Sequence, residues 1–345
     1  MVANPQRLSP AARVALDAAR AAAAIYVVFY HLNGLHHWPQ PFALLFGFGQ
    51  EAVLVFFVLS GFVIFANERD RVSPPFGYML RRLRRIYPAL LVAMGLSALV
   101  AADNGTLYRD FYWDDLLATL FSVEDIARLK PGVIADPFLN NEPLWSLSYE
   151  MAFYLAFPLV LAAWRKSPRW TNRLIGVSAC AAYASFALWP NHWSLIAAYF
   201  PCWWIGAMAA DAYFKGARQA SALRGPILGL VALCGVAALV VMRDHGGSRV
   251  GLYPMLPLRH FAAAALLVLA LFGPLGRFIA HRLKPFPWTW LASISYGIYV
   301  LHFPLLVQWK RAQSVGGFCL ALALLVAGAT LVDRALTQAL RTARN

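Results

Sequence analysis

Residues 226–242 read Pro-Ile-Leu-Gly-Leu-Val-Ala-Leu-Cys-Gly-Val-Ala-Ala-Leu-Val-Val-Met, a run of 17 without a charge, bounded by Arg224 and Arg243. Such a run fits either the core of a large soluble domain or a bilayer, where about 20 apolar residues cross roughly 30 Å of hydrocarbon. The rest of the chain decides. Comparable stretches occur at 16–35, 46–67, 86–103, 147–164, 174–190, 193–213, 260–280, 288–308 and 316–336. Mean hydropathy is +0.57, with 60% hydrophobic and only 13% charged residues, whereas soluble domains carry about 25% charged. The expected fold is an all-α integral membrane protein, a bundle of about ten transmembrane helices forming a single domain over 1–345.

The basic residues orient the bundle. With both termini cytoplasmic, eight of the 30 Lys and Arg fall outside (Arg109, Arg128, Lys130, Arg243, Arg249, Arg259, Lys310, Arg311) and the other 22 inside. That is the bias of the positive-inside rule. The net charge of +14 therefore reads as topology and attraction to anionic lipid, not as a nucleic-acid surface. The first stretch leads into His36-His37-Trp38 without a small-residue cleavage site, so it is expected to stay a helix rather than act as a signal peptide. Cys180, Cys202, Cys234 and Cys319 fall in spans with no metal-ligand spacing and read as packing residues; no metal is expected. The long extramembrane segment, 104–145, carries Asp110, Asp114, Asp115, Glu124, Asp125, Asp136 and Glu142, and is expected to cap the external mouth.

Ionisable groups within spans cost a few kcal/mol each and are candidates for function. Arg20 and His31 are 11 residues apart, which returns them to within about 20° of one helix face and separates them by about 16 Å. Arg20 then sits near the cytoplasmic end and His31 in the outer half. A single His can simply be packed, and an Arg near a helix end can snorkel. Glu150 opens the fourth span and needs a cationic partner unless it faces interfacial water. His302 in the ninth span falls at a similar depth. His31 and Glu150 are expected to share one polar cavity, with His302 at its rim. Arg81, Arg82, Arg84 and Arg85 stand where the third span begins. They are either a topology anchor or a phosphate clamp, since guanidinium forks match phosphate oxygens. Arg82 and Arg85, three apart, share a face.

These residues lie within five ordered motifs: Arg20 to His31; Phe56-Phe57-Val58-Leu59-Ser60-Gly61-Phe62; Arg81-Arg82 to Ile86-Tyr87-Pro88; Trp145-Ser146-Leu147-Ser148-Tyr149-Glu150 with Phe153, Tyr154 and Pro158; and Ser293 to His302 with Pro304. Together they resemble the acyltransferase type 3 family, membrane O-acyltransferases of bacterial surface polysaccharides, over residues 17–305. The resemblance implies that Arg20, His31 and Glu150 are the critical positions. Ser60, Trp145, Tyr154 and His302 are expected to contact substrate or brace the residues that do. Two positions depart from the family pattern: Leu54 stands where an Asp is common, with Glu51 one turn earlier, and Met151 stands where a second acid often follows Glu150.

The expected activity moves an acyl group, acetyl by resemblance, from acyl-coenzyme A to a hydroxyl of a cell-surface glycan or lipid-linked sugar at the bacterial inner membrane. His31 would act as base, oriented by Glu150, while Arg81, Arg82 and Arg85 hold the donor's phosphates; an acyl-histidine relay fits equally. The alternative is a proton-coupled transporter or flippase, which would commonly show inverted repeats or paired broken helices. Neither is visible in the sequence. A non-catalytic scaffold for lipid-linked sugars is a third reading.

Overall fold

A computed structural model describes residues 8–71, 74–217, 219–244 and 250–336. Both chain ends, and Arg7, Arg218, Arg249, Arg341 and Arg344 of the charge count, lie outside the described residues. The helices that fall on the ten expected stretches are α1 (Pro10–His36), α2 (Gly49–Glu68), α3 (Pro75–Asp103), α4 (Trp145–Lys166), α5 (Pro168–Leu188), α6 (His192–Phe214), α7 (Arg224–Arg243), α8 (Met255–Phe272), the eight-residue α9 (Ser295–His302) and α10 (Val315–Thr330). No strand occurs among the described residues. Seven of these helices, α2, α3, α4, α6, α7, α8 and α10, are long and apolar enough to cross a membrane, so the chain is a multi-pass membrane protein.

The other three predicted spans differ from simple rods. The helix α1 has 27 residues, about 40 Å, but carries Arg13, Asp17 and Arg20 in its first half. The helix α5 has 21 residues and begins beside Arg169 and Arg173. The span expected at 288–308 is broken into Trp288–Ala292, α9 and a π-helical turn, Phe303–Gln308. Proline explains the last break: Pro304 has no N–H to give Val300. The Val300 carbonyl instead accepts from Asn141 Nδ2 at 3.4 Å. The third span also starts earlier than its hydropathy suggests. Pro75 begins α3, a position where proline costs no hydrogen bond, so the four arginines lie inside the helix rather than before it.

The helices α2 and α6 form the spine. A Cβ on Gly61 would stand 2.1 Å from the Trp203 carbonyl oxygen, and one on Gly206 would stand 1.9 Å from that of Val58. Only glycine lets these backbones touch, as at other small-residue membrane interfaces. Around that contact Phe57, Phe65, Trp203 and Trp204 are fully buried. The helix α1 packs across α2 and α9, and α3 packs beside α9.

The 104–145 segment is more than a cap. It contains the short helices Leu107–Asp110 and Trp113–Phe121, and beyond them it enters the core. Asp125 and Lys130, both buried, pair at 2.6 Å. The Tyr149 hydroxyl donates to Asp125 at 2.7 Å, and the Lys130 ammonium lies 4.3 Å above the Trp145 ring. Burial weakens the hold of Lys130 on its proton, moving its pKa down, while Asp125 acts in the opposite direction.

Candidate active site

A cavity of about 460 Å³ opens between α1, α2, α3, α4 and α9. The helix α3 contributes Arg81, Arg82, Arg84 and Arg85; α1 contributes Arg20, and α4 contributes Glu150. Glu150 is held by its own helix, because Tyr154, one turn on, donates its hydroxyl to Oε1. Ser60 of α2 meets the same hydroxyl at 3.1 Å. Arg20 is attracted by Glu150 and Asp17 and repelled by Arg85.

The arginines are not equivalent. Glu68, 4% exposed, accepts two bonds from Arg81, at 2.8 and 2.9 Å. Arg82 is 3.9 Å from the same carboxylate, with its guanidinium 6.0 Å above the Tyr154 ring. Arg20, Arg84 and Arg85 have no ion pair among the described residues. Arg81 lines the cavity and is also tied to Glu68, so an anion bound there would share it with that carboxylate. Arg20, Arg82, Arg84 and Arg85 face the cavity against Glu150 in its lining and Glu68 at 3.9 Å from Arg82, an excess of positive charge suited to a polyanion.

His31 lies elsewhere. It lines a narrow slot of about 10 Å³ with Tyr30, Gln50, Glu142, Trp145 and Tyr299, room for about one water. Its ring is 5.3 Å from that of His302 and 4.8 Å from that of Phe303. His302 Nδ1 is 2.8 Å from the Tyr299 carbonyl and 3.1 Å from that of Ile298. Carbonyls only accept, so the network assigns the proton to Nδ1 and leaves Nε2 a lone pair. That Nε2 is buried without a partner.

The expected single chamber is thus two. Glu150 belongs to the arginine cavity and His31 to the slot; Tyr299 lines both. The reason is helical: Trp145 faces the slot, whereas Glu150 is five residues further along α4 and points to another level. His302 is not at a rim either. It is fully buried behind His31 and lines neither enclosure. The Tyr299 hydroxyl between them donates to the Pro143 carbonyl at 2.7 Å and meets Ser146 Oγ at 2.9 Å.

Sequence reasoning missed Glu68, Tyr299 and Asp333. Asp333 accepts the Gly297 N–H at 2.8 Å, anchoring the start of α9, and acts electrostatically on Arg85 and Arg20. An acid at the end of the last apolar stretch was its only signal. Glu51, one turn before the departure at Leu54, pairs with Arg259. No group of three His, Cys, Asp or Glu suited to a metal occurs among the described residues.

Comparison with known proteins decides the family, since the model of the type 3 acyltransferase domain matches residues 13–333. The chain belongs to the acyltransferase type 3 family. It is 29% identical over 271 residues to the acyltransferase MdmB of Streptomyces mycarofaciens, covering 74% of this chain and 67% of that protein. It is 27% identical over 310 residues to nodulation protein 10 of Rhizobium leguminosarum bv. viciae, covering 83% and 81%. To YrhL of Bacillus subtilis, named as a candidate peptidoglycan O-acetyltransferase, it is 26% identical over 332 residues, covering 87% of this chain and 50% of that protein. No solved structure matches it. The protein is an acyltransferase enzyme of the membrane, and family membership disfavours the transporter reading.

Proposed function

We propose that this acyltransferase moves an acyl group, acetyl first among them, from acyl-coenzyme A to a hydroxyl of a cell-surface glycan or lipid-linked sugar. It would work in the bacterial inner membrane, crossing it ten times with both termini cytoplasmic. The observation that carries the reading is the pairing of a polycation-lined cavity with a histidine slot on the two sides of one tyrosine. Arg82, Arg84 and Arg85 offer guanidinium forks to the donor's phosphates. The pantetheine arm would run past Glu150 and Arg20 to the Tyr299 wall. The acceptor oxygen attacks the thioester carbonyl there and its proton passes to His31; the carbon–sulfur bond breaks and the coenzyme A thiolate takes a proton. The hydroxyls of Tyr299 and Ser146 stand at that boundary, and once released from the Pro143 carbonyl and from each other they would donate to the oxyanion. Tyr299 must turn for the two compartments to join. YrhL and the surface-glycan chemistry of the family support a glycan acceptor.

Protein reconstituted in liposomes, given acetyl-coenzyme A labelled in the acetyl group and a panel of lipid-linked oligosaccharides, tests this. The label is expected as an alkali-labile ester on the sugar, absent with His31→Ala. Sugar that crosses the bilayer unmodified, with the thioester intact, would instead identify a flippase.

A further inference from the structure

A second basic site lies away from that cavity. The helices α5 and α7 run parallel and meet at Gly176 and Gly229, where a Cβ on Gly176 would lie 3.0 Å from the Gly229 Cα. A groove of about 910 Å³ follows their contact. Arg169, Arg173 and Arg224 surround its one end, and Val177, Cys180 and Leu228 line the rest. We propose that this groove binds an anionic phospholipid, its phosphate on the three guanidinium groups and one acyl chain along the apolar floor.

Charge complementarity carries the assignment. Several cations elsewhere are neutralised, Arg81 on Glu68, Lys215 on Asp211, Arg243 on Asp244 and Arg259 on Glu51, whereas Arg20, Arg84 and Arg85 of the cavity are left for an anion. None of the three groove arginines has an ion pair among the described residues. Arg173 is instead 5.1 Å above the ring of Trp170, which is 62% exposed, the disposition of an aromatic at the lipid–water boundary. Guanidinium groups at that boundary attract anionic headgroups. The floor selects a lipid over a free phosphate: Val177 and Leu228 are 68% and 66% exposed, a hydrocarbon-facing surface that an inorganic ion would leave uncovered.

Native mass spectrometry and thermal unfolding in neutral detergent can test this with phosphatidylglycerol, phosphatidylcholine of the same chains, and glycerol phosphate. Only phosphatidylglycerol should be retained and raise the Tm of the wild type. Each guanidinium lost should weaken binding about five-fold, so Arg173→Gln/Arg224→Gln weakens it roughly 25-fold, while Arg282→Gln, removing a charge elsewhere, leaves it unchanged. Val177→Trp, filling the floor, should displace the lipid with all three arginines present. Wild-type affinity in the double variant, equal retention of phosphatidylcholine, or equal protection by glycerol phosphate would each overturn the proposal.

Discussion

His31 and His302 stand ring against ring, centroids 5.3 Å apart, and the Nε2 of His302 is buried with no protein partner. With its Nδ1–H fixed on two carbonyls, His302 has one free acceptor, in the company of the proposed base. A ring rotation or a bridging water would bring that acceptor into hydrogen-bond reach of His31, where it could share a proton His31 takes up. His302→Phe keeps an aromatic ring but removes that acceptor. Its kcat should fall about 10-fold, less than the roughly 100-fold or more expected for losing the base itself, with the KM for the donor unchanged and one limb of the pH–rate profile altered. An active Phe variant with the wild-type profile would return His302 to packing.

The arginines of α3 should separate by assay. Arg82→Ala/Arg85→Ala removes phosphate contacts and should raise the donor KM by about 100-fold or more, two charged hydrogen bonds contributing about 1.5–3 kcal/mol each, with kcat little changed. Arg81→Ala should act mainly on stability. It strands Glu68, 4% exposed, with only Arg82 and Arg71 nearby at 3.9 and 3.8 Å. A loss of about 3 kcal/mol, seen as a lower Tm that Glu68→Gln partly restores, is the expected outcome. A raised KM with normal Tm in Arg81→Ala would contradict the division.

Gly206→Ala tests the spine. Its new methyl would lie 1.9 Å from the Val58 carbonyl oxygen, a backbone contact that cannot rotate away. The helices α2 and α6 must part, at a cost of about 3 kcal/mol or more. Gly95→Ala, where nothing lies within 4 Å, should leave the Tm in the same detergent unchanged or raise it slightly.

Glu124 makes stability depend on pH. Both of its carboxyl oxygens are buried without partners, and burial pushes its pKa well above the usual 4.5. Above that value the unfolded chain ionises here while the folded one does not. The folded state then holds more protons, and its stability falls as pH rises. Glu124→Gln removes that slope. Its Tm should exceed wild type at about pH 8, with the difference vanishing near pH 4; a constant offset across the range would contradict the assignment.

The parts legible in the sequence were those set by local pattern. Apolar length found every long helix to within a few residues at most ends, because burial in lipid needs no knowledge of neighbours. It misjudged α3, where Arg81 to Arg85 masked a helix that Pro75 begins, and it ran through Pro304, where a side chain from a distant loop takes over the freed carbonyl. The candidate site was legible as a set of residues but not as a map. Arg20, Glu150 and the arginines do meet, while His31 stands with His302 beyond Tyr299. That partition depends on which way α4 and α9 are turned, and a partner such as Glu68 or Asp333 can be found only once the helices are packed.

The central claim is that donor binding and proton transfer occupy separate compartments, and His31→Ala tests it most directly. Titration of purified protein with acetyl-coenzyme A, beside turnover in liposomes, should give wild-type affinity with turnover lost by at least about 100-fold. The Arg82→Ala/Arg85→Ala protein should lose affinity instead. Wild-type turnover in His31→Ala, or coenzyme A binding unaffected in the double arginine variant, would contradict the account.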